Sequence, residues 1–508
     1  MMPARRAATV ALAAIILQAC TNLGPDYEEP PVDWLQQWET DLYGQALTSA
    51  PQQAQDVGFW WQAFNDPILN QLIETARTEN PTLRIAGLAI LESRALLGIA
   101  TGRRYPQVQR ASGNWTRVDS WPTEGDDSGD HSQLNSYGAG FDVAWELDFW
   151  GRWRRGVESA DAAFFASVTN QQNAQVLLAA QVADAYYAYR TTARQIEIAR
   201  ENAGLQKRSL EITTNLFESG QSAELDVQQA RTQYLATMAT IPELEIALRQ
   251  IENALAVLLG RAPGELPEMA AVSPDLPTLN PVFIDDFPAN LLLRRPDVRT
   301  AAWSVAAQSA QIGVARADLY PAISLFGTIG WSGNSLSGTN DTLSTGFGPA
   351  FSWNLFNYGR LENNVRVQDA RLQQAIERYQ LTVLAAASEI DGAAISVVKT
   401  MEQQGILADA LAAAERSLTL STKRYQEGYS DFQRVLTAQQ SLAARSASYV
   451  SNQGAHISAV IDFYKAVGGG WQPANGDDLV PEPIRAIMAE RTDWDGMLDA
   501  PLPVATQP

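Results

Sequence analysis

The sequence predicts a mainly α-helical, internally duplicated chain that carries a small membrane β part. Three observations lead there. Trp145-Glu-Leu-Asp-Phe-Trp-Gly-Arg152 returns 208 positions later as Trp353-Asn-Leu-Phe-Asn-Tyr-Gly-Arg360, and Phe217, Gly220, Val227 and Gly260 fall over Tyr425, Gly428, Val435 and Gly468. Tyr137, Ala139, Phe141, Val143, Trp145 and Leu147 alternate with Gly138, Gly140, Asp142, Ala144, Glu146 and Asp148, the period of a strand with one apolar face. Residues 156–217 and 361–426 contain no proline and keep a helical rhythm, far longer than an ordinary globular helix. A duplicated chain builds its function from paired halves.

The elements follow in order. Arg5-Arg6 and the apolar run 7–17 have the layout of a signal peptide over 1–19, too short to cross a bilayer as a helix. Leu17-Gln-Ala-Cys20 resembles a bacterial lipobox, although Gln18 departs from its usual apolar or small residue. That resemblance makes Cys20 a lipidation site at the mature N-terminus, and Thr21 after it resembles lipoproteins sent to the outer membrane. Residues 20–64 read as a lipid-anchored extended segment. Asn65-Asp66-Pro67 reads as a helix start, with Asn80-Pro81 as a break before Gly102.

The first repeat spans 65–260, with a β-hairpin at about 105–147 and a helical hairpin at about 152–260. The second spans 288–471, with a β-hairpin at about 320–355 and a helical hairpin at about 360–468. Ile376, Tyr379, Val383, Ala386, Ile390, Ala394, Val397 and Met401 step by threes and fours as the packed stripe of the second long helix. Gly220 and Gly428 turn the two helical hairpins. Five prolines make 261–287 an extended connector rather than a packed domain, and 472–508 reads as a loosely held irregular tail. Pro81-Thr-Leu-Arg84 and Tyr105-Pro106 recur as Pro296-Asp-Val-Arg299 and Tyr320-Pro321 at an offset of 215, which puts a seven-residue difference inside the hairpins. The longer first loop, 119–135, is expected to hold it.

Composition narrows the function. A net charge of −20, from 37 basic and 57 acidic residues, argues against a nucleic-acid partner. The only two histidines, His131 and His456, lie far apart and Cys20 is the sole cysteine, so a metal site of the usual ligands is not expected. No phosphate loop, nucleophile elbow or dinucleotide fingerprint occurs, and no enzyme or cofactor is expected beyond the lipid on Cys20.

Four strands cannot close a barrel, and open strand edges are not tolerated in lipid. The chain must therefore oligomerise: two copies supply eight strands, three supply twelve. Long helices continuing the barrel would make a tube, and a tube without catalytic groups is a conduit.

Cys20-Thr-Asn-Leu-Gly-Pro-Asp-Tyr27 with Pro30, Trp60-Trp61 with Phe64, Asp66-Pro67, Leu293-Arg-Arg-Pro-Asp297 and Tyr464-Lys-Ala-Val-Gly-Gly-Gly-Trp471 resemble the TolC superfamily of outer-membrane factors. Within it they are most similar to the lipoprotein branch that includes OprM. The resemblance implies a homotrimer with a twelve-stranded β-barrel in outer-membrane lipid and an α-helical tunnel reaching into the periplasm. It also implies two partners, a periplasmic adaptor (membrane fusion protein) and an inner-membrane transporter of the resistance-nodulation-division type. A gate at the helical tips would involve Tyr425, Asp431, Arg434 and Thr437 with Glu224 and Asp226. Gly220, Gln221 and Ser222, with Gly428, Tyr429 and Ser430, would be the adaptor-contact turns. The ordinary alternative for Asp431 and Arg434 is a solvated i,i+3 pair, and for the two glycines a simple turn requirement. Passive efflux duct is the leading reading. A type I protein-secretion duct and a lipid-anchored scaffold without a pore are the alternatives.

Overall fold

The computed structural model describes residues 22–32, 57–121, 132–277, 279, 289–334, 341–473 and 479–503. Its helices are α1 (Pro67–Glu79), α2 (Pro81–Gly102), α3 (Arg152–Glu218), α4 (Glu224–Leu258), α5 (Pro296–Ala317), α6 (Arg360–Gln426), α7 (Phe432–Ala466) and α8 (Glu482–Arg491). Its strands are β1 (Val108–Ser120), β2 (Ser132–Glu146), β3 (Ala322–Gly333) and β4 (Thr342–Ser352). Matching helices have equal lengths: 67 residues for α3 and α6, 35 for α4 and α7, and 22 for α2 and α5. At a rise of about 1.5 Å per residue the two longest run roughly 100 Å.

The strands form one antiparallel sheet in the order β1-β2-β3-β4. Its register sets Trp115 opposite Tyr137, Phe141 opposite Ile329, and Trp331 opposite Leu343. Phe347 and Phe351, on the same apolar face, are exposed in the single chain. The other face is polar: Asp142 accepts from the Thr328 hydroxyl at 2.9 Å and lies 3.8 Å from Arg110. Both outer strands keep a free edge. The hairpins differ less in their loops than the sequence suggests. β1 and β2 pair over thirteen positions and β3 and β4 over eleven, so most of the seven-residue difference is extra rungs of ladder.

Below the sheet the duplication keeps matching bonds at two levels. The Trp145 indole donates to the Arg104 carbonyl, and the Trp353 indole to the Leu319 carbonyl, pinning each hairpin to the helix that precedes it. Asn80 accepts from Leu83 N–H as the α2 cap and donates to the Leu258 carbonyl at 2.8 Å. Arg295 sits at the same place before α5 and donates to the Ala466 carbonyl at 2.6 Å. The end of α4 is thereby joined to the start of α2, and the end of α7 to the start of α5. Gly260 lies so close to the Glu79 carbonyl that a Cβ would sit 2.3 Å from it. Arg295 carries more than its counterpart, with both Asp297 and Glu389 at 2.8 Å.

A large core surrounds this joint. The predicted stripe of α6 is buried at Tyr379, Val383, Ala386, Ile390, Ala394 and Val397. Trp60 stacks on Tyr464 with ring centroids 5.3 Å apart. Asp66 caps α1 and also accepts from Tyr186 and from Arg190, so a helix start doubles as a tie to α3. Arg190 also donates to the Asp275 carbonyl. One proline falls inside a long helix, Pro242 in α4.

Three expectations about irregular segments are corrected. The tail is not loose: Leu479, Val480, Met488 and Leu498 pack with Ile90, Leu91, Phe164 and Trp303, and α8 lies within it. Arg94 holds it by donating to the carbonyls of Met497, Ala500 and Pro501. The segment before α1 is not wholly extended, because Val57–Phe64 is a 3₁₀ turn that buries Trp60, Trp61 and Phe64. The connector folds into a 3₁₀ turn at Pro267–Ala271 and buries Leu266 and Met269. Prolines and aspartates are frequent in the connector and the tail, and a few well-spaced apolar side chains outweigh them.

Candidate functional site

The helical tips are built by one motif used twice. Gly220 takes φ 76° and Gly428 φ 77°. At the first turn Gly220 N–H donates to Phe217 and Gln221 N–H to Leu216; at the second Gly428 N–H donates to Tyr425 and Tyr429 N–H to Arg424. These paired bonds close each long helix in a Schellman cap, which needs a residue in the left-handed region. A Cβ on either glycine would meet open space, so backbone conformation alone selects glycine here.

Side chains break the symmetry that the backbone keeps. Phe432, at the start of α7, is buried with Val435, Leu436, Leu442, Ala414, Leu418 and Ala230. Its counterpart in the first copy is Glu224, which is exposed. Tyr425 packs on Phe432 with ring centroids 5.4 Å apart, whereas its counterpart Phe217 is exposed. The Tyr425 hydroxyl is buried without a hydrogen-bond partner of good geometry. Burial pushes its pKa up; Ser222 of the first turn works against that rise and the Asp226 carboxylate adds to it. Ser222 itself donates to Asp226 at 2.9 Å. Higher up, the buried Gln439 of α7 donates to Ser209 of α3 at 2.6 Å, and Gln440 to Gln233 of α4 at 3.0 Å.

The sequence-predicted gate residues therefore divide. Tyr425 and Asp226 come together across the two hairpins of one chain, with Ser222 of the predicted adaptor-contact turn between them. Asp431 and Arg434 lie 3.9 Å apart with both side chains more than 70 % exposed, the geometry of a solvated i,i+3 pair. Thr437 is exposed and donates to Gln433 of its own helix. Gln221 and Tyr429 are exposed at the turns, with Ser430 partly covered. Sequence reasoning missed Phe432 and Gln439. The signal was present, since Phe432, Val435, Leu436, Gln439 and Leu442 step by threes and fours along one face.

Cys20 lies outside the described residues. The chain is held a few residues beyond it: Leu23 N–H donates to the Trp150 carbonyl, just past the end of β2. The buried Arg155 then donates to the Leu23 carbonyl, to Asp26 at 2.7 Å and to Glu158. Gly313 of α5 is approached so closely by this segment that a Cβ would sit 2.4 Å from the Leu23 carbonyl.

Comparison with known proteins matches this architecture throughout. The family model described as outer membrane efflux protein matches residues 72–261 and 287–469, one span for each copy. The solvent efflux pump outer membrane protein SrpC of Pseudomonas putida is 31% identical over 472 residues, covering 90% of this chain and 97% of its own length. The probable outer membrane lipoprotein SilC of Salmonella typhimurium is 30% identical over 463 residues, at 90% and 97% coverage. The solved outer-membrane channel OprN superposes with a TM-score of 0.80 at 32% identity, over 89% of this chain and 100% of its own. With a duplicated unit, a four-stranded sheet and hairpins of matching length, the chain belongs to the outer membrane efflux protein family and is an outer-membrane channel of that kind.

Proposed function

We propose that the chain is the passive exit duct of a tripartite efflux system, working as a homotrimer whose periplasmic tips form the gate. The observation that carries this reading is the open four-stranded sheet standing on helices of roughly 100 Å. Three copies supply twelve strands and remove every edge. Leu235 and Ile246 on α4 and Leu381 and Leu384 on α6 are exposed in the single chain and give the copies apolar surface to share. A covalent lipid on Cys20 fits the tie of Leu23 to Trp150, which keeps the N-terminus beside the foot of the barrel.

At the tip, Tyr425, Asp431, Arg434, Thr437, Glu224 and Asp226 are the proposed gate residues. Arg434 stands at the position of Asp226 in the duplication, so the ring would carry both signs and select ions weakly. The exposed turns at Gly220, Gln221 and Ser222 and at Gly428, Tyr429 and Ser430 are the proposed seats of a periplasmic adaptor. The transporter behind it is proposed to be of the resistance-nodulation-division type.

Single-channel conductance in planar bilayers tests the gate: Tyr425→Ala or Arg434→Ala raises it, and unchanged conductance in both variants rejects these residues. A photo-crosslinker on a cysteine at Ser222 or Ser430 tests the assembly. Capture of an adaptor belonging to a protein-secretion transporter would replace efflux with the type I reading.

A further inference from the structure

A cavity of about 500 Å³ lies between α1, α2, α3 and the C-terminal tail, away from the tip and from the sheet. Arg77, Arg84 and Glu74 line it, with Gln171, Gln175 and Gln472. Phe59, Leu83 and Leu479 give it an apolar side. Its size lies within the range of small-molecule sites.

Two arginines share the wall of this one cavity. Among the described residues neither Arg77 nor Arg84 has a carboxylate within salt-bridge reach. Arg77 instead makes two bonds at the outer limit of length, 3.5 Å to Gln175 Oε1 and 3.4 Å to Gln472 Oε1. Arg84 donates only to the Glu79 carbonyl, at 3.0 Å. Most of the five donors on each guanidinium thus have no protein acceptor among the described residues.

The amides around them are ordered. Gln171 and Gln175 are buried, and Gln175 Nε2 donates to Gln171 Oε1 at 3.0 Å. Gln472 N–H donates to Gln175 Oε1 at 3.1 Å, which fixes the tail against α3 at this point. Gln472 Nε2 is shielded from solvent and makes no hydrogen bond, so turning it toward a ligand oxygen gives up only the long 3.4 Å bond that Gln472 Oε1 accepts from Arg77.

We infer that this cavity binds a small carboxylate that has an amide beside it, as at the C-terminal end of a short peptide. The planar forks of Arg77 and Arg84 suit a carboxylate, and Gln472 Nε2 suits the neighbouring carbonyl. The Glu74 carboxylate on the same wall disfavours a dianion such as phosphate. Phe59, Leu83 and Leu479 take the apolar side chain.

The test uses the full-length protein in detergent, titrated calorimetrically with N-acetyl-alanine and, separately, with inorganic phosphate. Saturable binding of N-acetyl-alanine is expected, falling about tenfold or more in Arg77→Gln/Arg84→Gln, with phosphate binding weaker. A melting temperature matching the parent shows that the double variant is folded; Gln472→Ala is a second variant expected to weaken N-acetyl-alanine without changing phosphate. No saturable heat with the parent, equal binding to the parent and a folded double variant, or phosphate binding more tightly than N-acetyl-alanine would each overturn the inference. None of these outcomes depends on whether the chain acts as an efflux duct.

Discussion

Asn80 and Arg295, 215 positions apart, make the same joint with different chemistry. Each donates a side-chain N–H to the last carbonyl of a returning helix, Leu258 for Asn80 and Ala466 for Arg295. Those acceptors are themselves 208 apart, so the joint survives the change of register between the copies. A neutral amide suffices in the first copy. In the second a buried guanidinium also gathers Asp297 and Glu389, and burial works against the charge that those carboxylates sustain.

Asn80→Ala removes a helix cap and a buried bond, at a cost of about 1–2 kcal/mol. Arg295→Ala removes four charge-assisted or buried bonds and is expected to cost on the order of 3–5 kcal/mol. Denaturant unfolding of both variants checks the ranking; equal costs would refute the view that the second joint carries more.

At the tip, Phe432→Ala empties the small cluster and is expected to cost about 3–5 kcal/mol locally. Tyr425→Phe deletes a buried hydroxyl that faces Ser222 without a hydrogen bond of good geometry and is expected to be near neutral, while Tyr425→Ala loosens the tip. Amide exchange over 414–442 distinguishes them: rapid exchange in Phe432→Ala and Tyr425→Ala, parental exchange in Tyr425→Phe.

Gly87 and Gly220 predict opposite kinds of damage. A Cβ at Gly87 would sit 2.0 Å from the Leu479 carbonyl, so Gly87→Ala should lift the tail off α2 and expose 479–503 to protease. Gly220→Ala meets no atom and should cost only the conformational strain of positive φ, about 1 kcal/mol, with the tail protected as in the parent. Limited proteolysis followed by mass mapping reads both.

Asp184 of α3 accepts from Ser458 of α7, and burial raises its pKa to about 6, with Asp462 adding to the rise and Ser458 and Lys465 opposing it. A carboxyl whose folded pKa lies above its unfolded value destabilises the fold where it is charged. That penalty is present above about pH 6 and is relieved as pH falls toward 3.8. Asp184→Asn is therefore expected to stabilise by on the order of 1–2 kcal/mol at pH 7.5 and by much less at pH 4.5. Melting temperatures of parent and variant at both pH values check the sign; a larger gain at pH 4.5 would contradict it.

What could be read from the sequence was whatever repeats along the chain. Period two in Tyr137–Leu147 named a strand, and the α6 stripe named its buried face. Gly220 and Gly428 marked their turns because only backbone conformation selects them. The misreadings fell where contacts are long-range and aperiodic. Leu479, Val480 and Met488 have no period, yet they bury against α2. Arg295 stood in a recognisable motif, but its partners Glu389 and Ala466 lie far along the chain. The tip contact was legible in outline from Tyr425. Its asymmetry was written in the exchange of Glu224 for Phe432, but what Phe432 packs against, Ala230 and Ala414 among others, lies far along the chain.

The joints at Asn80 and Arg295 also divide the walls mechanically. α3 and α6 run unbroken past this level, whereas the columns α4 with α2 and α7 with α5 are spliced there. Each splice is held by side-chain bonds and by the core packed around it, without continuous backbone. Twisting strain applied at the tips is thus passed toward the barrel by the two continuous rods, while the spliced columns follow through the side chains packed around their joints.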